Sequence, residues 1–313
     1  MILVTGAKGQ LGSDIIKGQG DGSTKGQGDG STVPFFSKNG TVEPSPCPLV
    51  EPSPCPFSGI DIDDLDITDS KAVSEYLREH KPRSVIHCAA YTAVDKAEDE
   101  PELCYRVNAE GTENIAKACK EIDAEMLYIS TDYVFNGDGD DPYETDAVKA
   151  PISVYGKSKL AGEEAVLRHL KKYYIVRISW VFGQNGNNFV KTMLKLAETR
   201  DELSVVCDQT GSPTFTPDLA RLLADMTLSG KYGIYHATNE GFCTWAEFAM
   251  QIMKLTGKKT KINPITSAEY LTKAKRPKNS RLSKRSLDDA GFSRLPTWQD
   301  ALTRYFTKKL LSE

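Results

Sequence analysis

The hydrophobic pattern of the chain switches repeatedly between short apolar runs and helical spacing. Residues 1–5 are a brief apolar run ending in Thr5, the signature of a buried parallel strand. Leu11, Ile15 and Ile16 follow at helical spacing. Ile60 and Ile62 suggest the end of a second strand. Asp69 is an N-cap type and opens a helix predicted to about His80. Pro82 closes the loop, and 84–88 reads as a third strand. A helix over 102–122, a strand over 126–130, a helix starting at Tyr155 and a strand over 174–179 continue the alternation. Strands alternating with helices predict an α/β fold built on a doubly wound parallel sheet. From about Gly183 the alternation fades. Helices are predicted over 187–199, with Phe189, Met193, Leu194 and Leu196 inward, and over 217–228, 244–255 and 297–311. Residues 208–214 read as a loop and 277–284 as extended chain. The expected division is a doubly wound domain over 1–182 and a smaller mixed α/β lobe over 183–313, packed over the strand ends. A return of the C-terminal part to the first domain is left open.

Residues 18–57 break the pattern. The heptapeptide GQGDGST at 18–24 returns at 26–32, and VEPSPCP at 42–48 returns at 50–56, each offset by eight residues. Gly, Pro and Ser dominate, and such a composition cannot bury enough apolar surface to offset its ordering entropy. Two perfect short duplications point to tandem duplication of DNA, and repeats this few build no solenoid. The segment is expected to be an insertion, disordered or loosely attached to the surface. It leaves about two turns for the first helix and only 57–63 for the second strand. Neither pairing nor metal binding is expected of Cys47 and Cys55.

Composition narrows the function classes. Of 313 residues, 39% are hydrophobic and 26% charged, ordinary for a globular protein. A net charge of −4 and a pI near 5.7 argue against nucleic-acid or anionic-membrane partners, which require a basic surface. No apolar run approaches the ~20 residues of a membrane span. Residue 1 enters a strand directly, with no basic leader or cleavage site, so a cytoplasmic location is expected. The seven cysteines are an odd number without metal-ligand spacing. Cys88, Cys104, Cys119, Cys207 and Cys243 read as small buried residues.

Candidate chemistry then appears at the strand ends. Gly6, Gly9 and Gly12 are spaced by three after the first strand. Gly6 suits a tight turn, Gly9 a close backbone approach to a pyrophosphate, and Gly12 close helix–strand packing. Asp61, at the end of the second strand, is the candidate for the ribose hydroxyls of a dinucleotide. Ala89 and Ala90 end the third strand with small residues where a cofactor could pass. Tyr155 and Lys159 are four apart and share one helix face. An ammonium beside a phenol favours the phenolate and would bring its pKa toward neutrality. Gly6, Asp61, Ala89, Thr131 and Trp180 all fall at carboxyl ends of strands, where ligands of such sheets bind.

Taken together, TGAKGQLG, LDITD, AAYTAVDKAE, STDYVF, YGKSKLAGE, ISWVFG, NNFVKTM, DQTGSPT and RPKNSRL resemble the extended short-chain dehydrogenase/reductase family, which has an NAD(P)-binding Rossmann fold. Within it the chain is similar to the reductases of dTDP-4-dehydrorhamnose. The resemblance covers 1–17 and about 58–313. It implies hydride transfer from NADPH or NADH to the C4 carbonyl of dTDP-6-deoxy-L-lyxo-4-hexulose. It implies Thr131, Tyr155 and Lys159 as the catalytic set, Lys159 both lowering the Tyr155 pKa and bonding the nicotinamide ribose. Gly9, Gln10 and Leu11 would hold the pyrophosphate, Asp61, Asp66 and Ile67 the adenosine, and Ala89, Ala90 and Tyr91 the middle of the cofactor. Asp132, Tyr133, Trp180, Asn188 and Arg276 would meet the nucleotide-sugar. Family members include monomers and homodimers, some with Mg2+ between subunits, but no metal-ligand set is legible here. Three alternatives stay open. One is a non-catalytic NADP-binding regulatory subunit like methionine adenosyltransferase β, which the intact Thr131–Tyr155–Lys159 set disfavours. Another is an epimerase or dehydratase, although dehydratases usually carry an acidic pair where Asp132 is followed by Tyr133. The third is a reductase of another nucleotide-4-keto sugar.

Overall fold

The computed structural model describes residues 1–18 and 56–310, so most of the repeat-bearing insertion, with Cys47 and Cys55, lies outside the described residues. The chain opens with β1 (Ile2–Thr5), α1 (Gln10–Lys17), β2 (Phe57–Ile60), α2 (Ser70–His80) and β3 (Ser84–His87). The Asp69 side chain accepts from the amides of Lys71 and Ala72, so the expected N-cap of α2 is in place. After β3 come the short helices α3 (Val94–Ala97) and α4 (Pro101–Tyr105), then α5 (Thr112–Glu121), β4 (Glu125–Thr131), α6 (Val154–His169) and β5 (Tyr173–Ile178).

These strands form one parallel sheet with Gly233–His236 as the sixth member, in the order Gly233–His236, β5, β4, β3, β1, β2. Both faces are covered, which is why the strands are apolar at successive positions rather than alternating with polar ones. Ile2, Val4, Leu127 and Val176 enter the core on one face, with Leu219 and Leu223. Leu3, Val85, Met126 and Ile175 enter the core on the other, with Val73, Leu77 and Ile115. The strand order reverses between β1 and β3, and the crevice at that reversal is where a doubly wound sheet receives its ligand.

Three elements depart from the sequence expectation. The helix expected over 102–122 is interrupted by a π-helical turn at Arg106–Gly111. Gly111 packs against Ile67 there, and a Cβ on it would stand 2.9 Å from two Ile67 side-chain atoms. Strand β2 ends at Ile60, short of the expected 63, and Ile62 beyond it is 62% exposed. The predicted loop 208–214 contains two short strand pairings: Thr210–Gly211 lies between Asn279–Ser280 and Cys243–Thr244, and Thr214–Phe215 pairs with Val181–Phe182.

Beyond β5 the main helices are α7 (Phe189–Leu196), α8 (Thr216–Ser229) and α9 (Trp245–Thr256). Helix α8 and Gly233–His236 return to the main sheet, while α7, α9 and Trp298–Leu310 share a separate aromatic core with Phe182, Phe215 and Phe248. Val190 and Met193 of α7 are buried in it, and Phe189, Leu194 and Leu196 pack against it half-buried. No helix among the described residues is long and apolar enough to cross a membrane.

Candidate active site

One cleft of about 800 Å³ runs along the carboxyl ends of the strands, a volume in the range of small-molecule sites. At one end it is lined by the turn between β1 and α1. Gly6 has φ +68°, and a Cβ on it would lie 2.8 Å from the Ala89 amide nitrogen, so the turn and the end of β3 touch at backbone distance. Gly9, Gln10 and Leu11 line this end with Asp61, Asp66, Ile67, Ala89 and Ala90. Asp61 is tied to the turn, its carboxylate accepting from the amides of Lys8 (2.9 Å) and Ile62 (2.9 Å). Asp66 accepts from the amide and hydroxyl of Thr68. Lys8 and Asp63 form an ion pair at the rim, both largely exposed. The glycine turn is thus an anion-shaped backbone cradle at a helix N-terminus, and the residues present fit a dinucleotide.

At the other end β4 and α6 meet. Ser153 caps α6 by accepting from the Gly156 amide at 3.1 Å. A Cβ on Gly156 would stand 2.3 Å from the Tyr133 carbonyl oxygen, so the second residue of 155–159 must be small for α6 to reach the end of β4. The result places Thr131, Tyr155 and Lys159 on one wall of the cleft. Thr131 Oγ1 donates to Asp132 Oδ1 at 3.0 Å, and the Tyr133 amide donates to Thr131 Oγ1 at 3.3 Å. The Tyr133 and Tyr155 rings meet edge to face at 5.6 Å. Lys159 is 3% exposed, its Nζ donating to the Ile129 carbonyl at 2.7 Å and lying 4.1 Å from the centre of the Tyr128 ring.

Burial dominates the electrostatics. It pushes the Lys159 ammonium down to about 7, against an opposing pull from Glu163. It pushes the Tyr155 phenol up, with the Thr131 hydrogen bond acting in the other direction. It raises the Asp132 carboxyl to about 6, against the opposing hydrogen bonds of the Ser280 and Thr131 hydroxyls. The expectation that Lys159 brings the phenol down is therefore not met in this arrangement. The ammonium is turned onto the Ile129 carbonyl and does not act on the phenol, where Asp132 and Cys104 add to the upward push of burial.

Trp180 lines the cleft with a positive φ of 48°, stacked on Trp245 at 3.7 Å between centroids. Three residues expected at the ligand stand behind the lining. Tyr91 exchanges both backbone hydrogen bonds with the Asn108 side chain. Asn188 caps α7 and donates to Gln10 Oε1 and the Gly183 carbonyl. Arg276 forms a two-point ion pair with Asp95. Each has its polar atoms engaged by the protein, so each bears on the cleft through a neighbour.

Asn108 is not among the residues that the sequence places at the site. It sits in the π turn, fully buried, and its amide also donates to Ser158 Oγ at 3.0 Å. A lone Asn inside a helical pattern gives no signal, since the π turn that aims it depends on packing. Among the described residues no group of three or more His, Cys, Asp or Glu could hold a metal ion.

A family model described as the RmlD substrate binding domain matches residues 1–311. A dTDP-4-dehydrorhamnose reductase from Streptomyces griseus is 45% identical over 249 residues, 77% of this chain and 82% of the relative. The crystal structure of a dTDP-4-dehydrorhamnose reductase from Clostridium acetobutylicum superposes with a TM-score of 0.86 at 41% identity, covering 100% of this chain and 99% of that one. The enzyme of the same name from Bacillus anthracis, solved in complex with NADP, gives a TM-score of 0.85 at 39% identity, covering 98% of each chain. On the strength of a match along nearly its whole length, the chain belongs to the RmlD substrate binding domain family, together with the dTDP-4-dehydrorhamnose reductases.

Proposed function

We propose that the chain is a cytoplasmic reductase that converts dTDP-4-dehydro-β-L-rhamnose to dTDP-L-rhamnose with NADPH or NADH, in the synthesis of cell-surface polysaccharide. The observation that carries this reading is that Thr131, Tyr155 and Lys159 open onto the same cleft as the glycine turn. Gly6, Gly9, Gln10 and Leu11 would hold the pyrophosphate, Asp61, Asp66 and Ile67 the adenosine, and Ala89 and Ala90 the middle of the cofactor. Tyr91 would set that stretch through its bonds to Asn108. When bound, the reduced nicotinamide supplies the hydride that C4 of the sugar accepts.

The protein's own groups handle the proton. Tyr155 gives its phenolic proton to the oxygen that becomes the C4 hydroxyl, and a raised phenol pKa keeps that proton in place until negative charge develops. The Thr131 hydroxyl steadies the same oxygen. Lys159 stabilises the tyrosinate left behind, which requires its ammonium to leave the Ile129 carbonyl and turn toward the phenol. Asp132 and Tyr133 orient the sugar, and Trp180 forms a flat wall against it. Asn188 and Arg276 contribute by fixing Gln10 and the Asp95 segment. All these residues come from one chain, so a monomer carries a whole site, whether or not it pairs into a homodimer.

The test is NADPH and NADH oxidation with dTDP-4-dehydrorhamnose. The wild type should turn over, and Tyr155→Phe should lose about 10²–10⁴-fold in kcat while still binding cofactor. A wild type that binds cofactor without turnover would refute the reductase reading in favour of a regulatory role.

A further inference from the structure

Helix α6 carries a second buried charged residue one turn beyond Lys159. Glu163 is 1% exposed, and the partner it meets, Arg177 on β5, is 0% exposed. Glu163 Oε1 accepts from Arg177 Nε at 2.9 Å and Oε2 from Arg177 Nη2 at 2.8 Å, a two-point clamp. Oε1 also accepts from the hydroxyl of Ser130, the residue before Thr131, at 2.5 Å. Arg177 is anchored in turn by the Thr145 carbonyl at 2.8 Å. Two charges this deep are costly unless they do something that an apolar pair could not.

The surroundings of Lys159 suggest what that is. His87 at the end of β3 and Cys88 just after it, Cys104 from α4 and Tyr128 from β4 surround it, with Tyr155 one turn before it and Glu163 one turn after it on α6. Burial keeps His87 uncharged down to about pH 3 and pushes Cys88 up to about 12, and it raises Cys104, Tyr128 and Tyr155 as well. Glu163, held by Arg177 and Ser130, is thus the one carboxylate among these described groups. We propose that Glu163 is a positioning residue for the reduction: clamped by Arg177, its carboxylate supplies the counter-charge that keeps the buried Lys159 an ammonium, and through Ser130 it fixes the strand end that carries Thr131. The proposal rests on the reading that Lys159 acts in the reaction. Tyr155, Lys159 and Glu163 then form one stripe at successive turns of α6, with proton donor, cation and counter-ion in order.

The test compares Glu163→Gln, the double variant Glu163→Leu/Arg177→Met, and Lys159→Met. The single change strands Arg177 without its partner, whereas the double change leaves no unpaired charge and keeps the fold testable. Lys159 is followed in cofactor-free protein by 13Cε lysine NMR, its signal assigned by its absence in Lys159→Met. The expected result is a titration midpoint lowered by about one pH unit in the double variant, and in Glu163→Gln if it folds. The alkaline limb of kcat/KM should move by the same amount toward lower pH. A packing role would lower the melting temperature without moving either midpoint. Midpoints equal to wild type in the double variant, alongside an inactive Lys159→Met, overturn the proposal and leave the reductase reading standing. A Lys159→Met variant as active as wild type overturns the reading on which the proposal rests.

Discussion

The two ends of the cleft are built by different physics. The glycine-turn end is made of loops, and it works because side chains are absent: Gly6 touches β3 at backbone distance. The charges at its rim, Lys8 and Asp63, are largely solvated, and such pairs add little to stability. The Tyr155 end is made of regular elements. There Thr131 closes a central strand, Tyr155 and Lys159 sit on a capped helix, and the charged groups are desolvated, so small displacements have large electrostatic consequences. A cofactor can be gripped by backbone amides that carry no titratable group. Proton transfer needs side chains whose surroundings set their charge.

That contrast predicts how substitutions divide. At the buried end Tyr155→Phe should have the largest effect, about 10²–10⁴-fold in kcat with cofactor affinity close to wild type, measured by turnover and fluorescence titration. Comparable losses in affinity and kcat would erase the distinction between the ends. Thr131→Val should come next, with a drop in kcat of about 10–100-fold and little change in KM, because a hydroxyl that meets developing charge acts in the transition state.

At the loop end Gly6→Ala should reverse that pattern. It forces a side chain into positive φ and against Ala89, which costs about 1–3 kcal/mol. Cofactor affinity should fall at least about tenfold with a lowered melting temperature, while kcat at saturating cofactor changes less. A Gly6→Ala protein with wild-type affinity would mean that the turn does not hold the phosphates.

Changing pH should separate activity from stability. The Lys159 ammonium of the folded protein is lost as pH rises through about 7, so kcat/KM should decline along an alkaline limb above that value. An unfolded lysine stays charged to its ordinary value of 10.5. Between about 7 and 10.5 the unfolded chain therefore binds the extra proton, and this group's contribution makes the fold more stable as pH rises. Activity and melting temperature should thus move in opposite directions there, a trend that Lys159→Met should remove from the melting curve. The smallest effect belongs to the rim: Lys8→Ala should leave the melting temperature unchanged, since the pair it breaks is solvated on both sides.

Much of the fold was legible because its signals are local. The apolar runs of the parallel strands, the Asp69 cap and the glycine spacing each depend on a few neighbouring residues, and β1, α1, α2, β3, β4 and β5 fall within one or two residues of expectation. The π turn and the return of Gly233–His236 to the sheet were not legible, because each depends on partners far away in the chain. The same holds for the site. Tyr155 and Lys159 could be paired from helical spacing alone, while Asn188 and Arg276 stand behind the cleft because Gln10 and Asp95 claim their polar atoms.

By itself the sequence determined the chemistry on offer: a phosphate-sized turn, a tyrosine and a lysine on one helix face, and a threonine at a strand end. Tertiary structure decided the state in which these groups wait. Helical spacing brings an ammonium within a turn of a phenol, but only packing determines which carbonyl that ammonium faces and how much water it loses. At Lys159 the packing selects Ile129, excludes solvent and leaves Glu163 as the counter-charge. Desolvation is a property of everything that surrounds a group, so no local pattern of residues can encode it.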